Sequence, residues 1–261
     1  MRPVLCLLPS PLLGPACWRA VGDRLTAGGW EVATVPTPRG SVTTAADVAG
    51  ELRAAIPPDR EAVLVAHSNA GLFVPLLAAS RPRVTGYVFV DAGLPRSGAQ
   101  RILMVPAGLY DMLAGLAGAD GLLPVWTAWW GDEDLSALFP DDKVRAGVAA
   151  EQRRLPLSYF SQSVPVPPGW PARPGAYLAF GEGYAAERAT ARELGWPTRT
   201  LAGEHLHMLV NPAQVATEIA HLVRSTLSAA RCPQHGACHR LSGRTAPRGA
   251  SGTTCRARTY G

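Results

Sequence analysis

Ser68 and two histidines far downstream carry the side chains that acyl transfer needs. Ser68 stands in Ala66-His67-Ser68-Asn69-Ala70-Gly71, directly after the apolar run Ala62-Val63-Leu64-Val65-Ala66. A serine with very small residues two positions before and after it, between a buried strand and a helix, fits a nucleophile elbow. The turn is sharp enough that larger side chains at those positions would collide across it. It lifts the hydroxyl clear of the backbone and aims a helix N-terminus at developing negative charge. A serine hydroxyl is a poor nucleophile at neutral pH, so it requires a base, and the base requires an orienting carboxylate. The sequence offers six histidines. His67 adjoins the serine and is expected to point away from the elbow as a packed residue. His221 falls inside a helical pattern, and His235 and His239 lie in the C-terminal stretch. His205 and His207 remain, in Gly203-Glu204-His205-Leu206-His207-Met208-Leu209, between a short strand and the last helix. A triad histidine belongs there in the chain order Ser, acid, His.

These groups need a scaffold that brings distant segments to one edge. Apolar runs alternate with helical periodicity, which predicts an α/β fold: a mostly parallel central sheet with helices on both faces. Candidate strands are Val4–Leu8, Glu31–Val35, Ala62–Ala66, Gly86–Asp91, Ala176–Phe180 and Thr198–Leu201. Candidate helices cover about Ala16–Ala27, Thr44–Ile56, Asn69–Ser80 and Pro212–Ser228, the last with Asn211 as N-cap and Pro212 at its first position. The rhythm breaks over 94–174, a stretch rich in Leu, Met, Trp, Gly and Pro. It is too long for a loop and predicts a helical cap insertion. The expected division is therefore a core of 1–93 and 175–230, a cap of 94–174, and a disordered basic tail of 231–261. Within the cap, Trp126, Trp129 and Trp130 are candidates for lining an apolar substrate pocket, for packing the cap onto the sheet, or for both.

The elbow, the opening strand with its loop ending in Cys17-Trp18, and the run Glu204-His205-Leu206-His207-Met208-Leu209-Val210-Asn211-Pro212 resemble the α/β-hydrolase superfamily. The resemblance is to its small cap-bearing esterase branch, similar to methyl-ester esterases and hydroxynitrile lyases, and it covers about Pro3 to Leu227. It implies that His205 is the catalytic histidine and places His207 in a substrate-lining position. It also implies that the acid follows the strand Ala176–Phe180, where Glu182 is the carboxylate; Asp91, at the end of another strand, is the competitor. One oxyanion donor would be the Asn69 amide. The second would come from the loop after the first strand, Pro9-Ser10-Pro11-Leu12-Leu13-Gly14. There Pro11 falls on the usual donor position and has no N–H. The donor then shifts to Leu12, or Ser10 offers its hydroxyl, or the hole is half-built.

The net charge of +5 comes from the tail, which holds six arginines and no acid; the remaining 19 basic and 20 acidic residues leave a formal charge of −1. No basic stripe suggests nucleic acid, and no run of eighteen apolar residues suggests a membrane span. Val4–Leu8 faintly resembles a signal peptide, but Pro9, Pro11 and Gly14 interrupt it early, and it reads as a strand. Five cysteines are too few and scattered for a disulfide scaffold. Cys6 and Cys17 read as core, and the expected location is cytoplasmic. Cys232, His235, Cys238 and His239 have loosely ligand-like spacing without a second pair, so no metal and no cofactor is expected. The expected partner is a small-molecule substrate. The reading is a serine hydrolase acting on an ester or similar acyl bond of a small apolar substrate through Ser68, His205 and Glu182, with Asn69 and Leu12 at the oxyanion. The alternatives are a lyase or carbon–carbon hydrolase on the same residues, and a non-catalytic ligand-binding protein. The single lysine, Lys143, lies in the acidic part of the cap and favours hydrolysis.

Overall fold

Residues 2–36 and 43–231 are described in the computed structural model of the chain. The expected tail, including Cys232, His235, Cys238 and His239, lies outside the described residues apart from Arg231. In chain order the first half contains β1 (Val4–Leu8), α1 (Arg19–Ala27), β2 (Val32–Thr34), α2 (Ala45–Ala54), β3 (Ala62–Ser68), α3 (Val74–Ala79) and β4 (Val84–Ala92). An insertion follows with β5 (Arg101–Leu103), α4 (Ala107–Leu116), α5 (Asp132–Ser136), α6 (Asp142–Ala149), α7 (Leu157–Phe160) and β6 (Ser163–Pro165). The chain then returns through β7 (Gly175–Phe180), α8 (Ala185–Glu193), β8 (Thr198–Leu201), α9 (His207–Val210) and α10 (Pro212–Arg231).

Six strands form one parallel sheet in the order β2-β1-β3-β4-β7-β8, flanked by helices. Every residue of β1, β3 and β7 is buried. Covering both faces of a parallel sheet removes the polar alternation of half-exposed strands and explains the unbroken apolar runs. Helix α10 packs on α1, β4 and β7, and α2 packs on α3. Helix starts follow local chemistry. Thr44 and Asp47 form a reciprocal capping box on α2, and the Asn211 carboxamide accepts from the Gln214 N–H at the head of α10.

Two features of this topology position a site. From β1 the chain moves outward to β2, then crosses back to place β3 on the other side of β1. The loops after β1 and β3 therefore diverge at their C-terminal ends and leave a crevice, the usual ligand position in open α/β sheets. The insertion opens over that same edge, between β4 and β7. It is not purely helical as expected. Its entry and exit pair as an antiparallel ribbon, β5 with β6, through Arg101↔Pro165, Ile102↔Val164 and Leu103↔Ser163. Three-residue strands carry no readable period, so the ribbon left no signal in the sequence. Among the described residues, no helix is long and apolar enough to cross a membrane, and no cluster of His, Cys, Asp or Glu could hold a metal ion.

Candidate active site

Ser68 is the last residue of β3 and has φ 56° and ψ −130°. Among the described residues, only Ser68 and Asp91 are non-glycine residues with positive φ. Such conformations cost on the order of 1–3 kcal/mol each and persist only where the surroundings impose them. Here the imposition comes from packing between β3 and β4. Their register slips between His67 and Ser68, and the Gly93 N–H donates to the Ser68 carbonyl at 3.1 Å. Gly71 lies so close beneath β4 that an added Cβ would sit 2.2 Å from the Gly93 oxygen. This turn therefore needs glycine at 71.

The Ser68 hydroxyl lies 3.1 Å from His205 Nε2, and His205 Nδ1 lies 2.7 Å from Asp91 Oδ2. His205 comes from the loop between β8 and α9, and Asp91 from the end of β4, so three separate segments converge. Asp91 is 1% exposed, and its other oxygen accepts the Phe180 N–H at 2.9 Å. The carboxylate is held on both sides. An ionised carboxylate only accepts, so it fixes the proton of a neutral His205 on Nδ1 and leaves Nε2 facing the serine.

Glu182, expected to be the acid, is not at the imidazole. Its side chain is 74% exposed and pairs with Arg188 at 2.6 Å. The Arg188 guanidinium holds the Glu182 carboxyl below its ordinary value. The physical reason is local. Gly181 takes φ 63° and turns the chain outward from β7, and Arg188 on α8 then claims the carboxylate. His207 also departs from its expected place. It opens α9, with its ring edge-on to Phe180 at 5.5 Å and packed so tightly over Gly203 that a Cβ there would approach Nδ1 to 2.3 Å. It faces the protein interior rather than the cavity described below.

His67 is fully buried. Its Nε2 lies 3.0 Å from the His205 carbonyl, which can only accept, so Nε2 carries the proton and the buried Nδ1 is left without a partner. Burial, reinforced by His205, holds the His67 imidazole well below its ordinary pKa and therefore neutral.

A cavity of about 1150 Å³ opens onto Ser68, Asp91 and His205. Its apolar walls include Leu72, Leu94, Met104, Leu138 and Phe160, together with Trp126, Trp129 and Trp130. Trp126 approaches His205 at 6.2 Å between ring centroids, and Trp130 is 39% exposed at the rim. Trp129 also packs: its ring meets Phe160 edge-on and its Nε1 donates to the Pro124 carbonyl at 2.8 Å. Lining and packing are thus combined in one residue. Leu12 and Asn69 border the cavity beside Ser68. Asn69 is the first residue of a short 3-10 turn, where backbone N–H groups have no partner within the turn. The Leu12 N–H reaches the Ser10 hydroxyl at 3.4 Å, a long and weak bond. Ser10 itself is 1% exposed and turned away from the cavity.

Three contributors were absent from the sequence reading. The Asn69 side chain is fixed from the insertion: its amide donates to the Met104 carbonyl and its oxygen accepts from the Tyr159 hydroxyl, both at 2.8 Å. Arg153 binds Glu51 through both nitrogens, at 3.0 and 2.7 Å, and donates to the Pro11 carbonyl at 3.2 Å. Tyr184 lays its ring against His205, with centroids 5.6 Å apart and planes 26° apart. These are long-range contacts with no local pattern. Only the position of Tyr184, in the turn after β7, offered a signal.

No protein-family model and no curated protein sequence matches the chain. Solved structures match it over most of its length. An extracellular α/β-hydrolase from a Paenibacillus species, described as sharing structural and functional homology with tobacco salicylic acid binding protein 2, superposes with a TM-score of 0.67. It is 15% identical, and the match covers 85% of this chain and 99% of that one. Tomato methylketone synthase I superposes with a TM-score of 0.66 at 15% identity, over 87% of this chain and 99% of that one. A pyrethroid hydrolase from Sphingobium faniae JZ-2 reaches 0.59 at 19% identity, over 87% and 99%.

Proposed function

We propose that this chain, which has the α/β-hydrolase fold, is a serine hydrolase that cleaves an ester or similar acyl bond in an apolar small molecule. The observation that carries the reading is the continuous hydrogen-bonded line Ser68–His205–Asp91 opening onto a large apolar cavity. Ser68 Oγ attacks the acyl carbon while its proton passes to His205 Nε2. Asp91 steadies the resulting imidazolium without taking its proton. The carbonyl oxygen becomes an oxyanion, held by the Asn69 N–H and by the Leu12 N–H released from Ser10. Collapse expels the leaving alkoxide, which receives the proton from His205. Water then repeats the sequence on the acyl-enzyme, with His205 as base and Ser68 as leaving group.

The apolar walls support an apolar acyl or alcohol portion, since burying each methylene contributes about 0.8 kcal/mol. Lys143 is exposed on α6 and is not part of the cavity wall, which favours hydrolysis over a reaction needing an ammonium beside a carbanion. A non-catalytic binding protein is the second reading, favoured by Pro11 and by the engagement of the Leu12 N–H with Ser10. Labelling with a fluorophosphonate separates the two. A serine hydrolase gives a covalent adduct at Ser68 that disappears in Ser68→Ala and slows strongly in His205→Ala. It also turns over p-nitrophenyl esters. An unlabelled wild-type protein without esterase activity would refute the proposal.

A further inference from the structure

The planar trans peptide unit that joins Ser68 to Asn69 carries the Ser68 carbonyl and the Asn69 N–H, pointing in opposite directions. Its carbonyl accepts the Gly93 N–H at 3.1 Å, so the end of β4 holds one side of the unit. The other side is held through the Asn69 side chain. The carboxamide nitrogen donates to the Met104 carbonyl, and the carboxamide oxygen accepts from the Tyr159 hydroxyl, both at 2.8 Å. Proton accounting fixes both directions. The Met104 carbonyl only accepts, so the Asn69 amide nitrogen faces it, and the oxygen left to face Tyr159 takes the hydroxyl proton. The two partners stand on the two legs of the insertion, Met104 just after β5 and Tyr159 on α7 just before β6. The Met104 N–H donates to the Gln162 carbonyl at 3.1 Å and braces one leg against the other. Tyr159 is fully buried and does not border the cavity, so it is not placed to touch a bound molecule.

Resting on the reading of Ser68 as nucleophile and of the Asn69 N–H as an oxyanion donor, we infer that Tyr159 is a positioning residue, which through the Asn69 carboxamide fixes the direction of that N–H. The Asn69 side chain is short. Anchoring its far end at two points restrains Cβ, and with it the backbone torsion next to the N–H. The conformation of Ser68 makes this grip necessary, since its φ of 56° is one that persists only where the surroundings impose it. Loosening the Asn69 anchor would let Ser68 relax, rotate the peptide unit and turn the N–H away from the developing charge. Tyr159 keeps its proton throughout. Burial pushes its phenol up, so the hydroxyl remains a donor at neutral pH. Tyr159 therefore acts on the rate of the chemical step and not on substrate binding.

Tyr159→Phe keeps the ring packed edge-on to Phe160 and deletes only the hydroxyl. With p-nitrophenyl esters, kcat should fall about 5- to 50-fold, less than the loss of a whole oxyanion donor, with KM changed less than about twofold. A trifluoromethyl ketone, which adds to Ser68 as a tetrahedral oxyanion, should lose affinity by the same factor as kcat/KM. The matching alcohol, which cannot add, should bind as before. Asn69→Ala keeps the N–H and removes the joint, so it should show the same pattern of losses. Tyr159→Phe placed in that background should then cost less than about twofold more. A Tyr159→Phe protein that matches wild type in kcat while Ser68→Ala is inert overturns the inference and leaves the hydrolase reading intact. So does a raised KM with unchanged kcat, an equal loss of ketone and alcohol affinity, or losses that multiply in the double variant, since each assigns Tyr159 to packing alone. Should Tyr159→Phe fail to fold, Asn69→Ala decides by itself, and an unchanged kcat there refutes the role. If the wild-type protein is inert toward esters and fluorophosphonate, both readings fall.

Discussion

Asp91 and Glu182 both border the cavity, but only one meets the imidazole. Asp91 is buried and bonded to His205 Nδ1, whereas Glu182 reaches into solvent toward Arg188. Asp91→Asn should lower kcat on p-nitrophenyl esters by roughly 10⁴-fold, as loss of the aspartate does in the Ser-His-Asp triad, because the amide no longer enforces the productive tautomer. Glu182→Gln should stay within about threefold of wild type, since an exposed ion pair contributes about 0–1 kcal/mol. Equal losses in the two variants would return the acid role to Glu182. The neighbouring His67 makes a prediction about stability. Its folded-state pKa is depressed by burial, so below the ordinary value of about 6.5 the unfolded chain takes up a proton that the folded chain refuses. The contribution is fully present above that pH and is lost as pH falls, with a limiting slope of about 1.4 kcal/mol per pH unit. Urea unfolding at a series of pH values should show this slope in the wild type and a shallower one in His67→Asn. Identical slopes would mean that His67 does not hold its neutral form.

At the scale of elements, β1 and β3 were legible because both faces of the parallel sheet are covered there, and they begin at the residues that the apolar runs indicate. Ser68 and His205 were legible for a related reason: each sits at a strand-to-helix passage with a short local pattern. The carboxylate that meets the imidazole was not, because two strand ends offered carboxylates. What decides between them is the backbone turn at Gly181 and the side chain of Arg188, neither of which has a local signature. The loop after β1 is a harder case. Its proline was visible, but its surroundings were not. Arg153, fixed by Glu51, grips the Pro11 carbonyl, so the insertion holds the loop in place. Pro11→Ala keeps that carbonyl and restores an N–H at the expected donor position. Because the Leu12 N–H is proposed as the second donor, kcat should stay within about threefold of wild type, with KM little altered. A rise of about tenfold or more would show that the Leu12 N–H leaves the role unfilled, since one missing oxyanion donor costs about 10²–10³ in kcat.

The molecule as a whole joins a rigid sheet edge to a wall built largely from the insertion. The sheet edge carries the groups proposed to react, while the insertion supplies Trp126, Trp129, Trp130, Leu138 and Phe160 to the space above them. That division separates chemistry from selectivity, and it makes chain length the natural probe of the cavity. About 1150 Å³ exceeds the usual range of small-molecule sites, so short acyl groups leave most of the apolar wall uncovered. If the acyl chain lies along this wall, each added methylene leaves water for apolar contact in the transition state. The gain of about 0.8 kcal/mol corresponds to roughly a fourfold rise in kcat/KM per methylene until the cavity is filled. A series of p-nitrophenyl esters from acetate upward should therefore climb steeply and then level off. Narrowing the cavity with Leu138→Trp should move the plateau to shorter chains while leaving the acetate rate unchanged, because Leu138 belongs to the wall supplied by the insertion and not to the groups proposed to react. A series that is flat from acetate onward in both proteins would show that the acyl group does not occupy this space, and would leave the alcohol portion as its occupant.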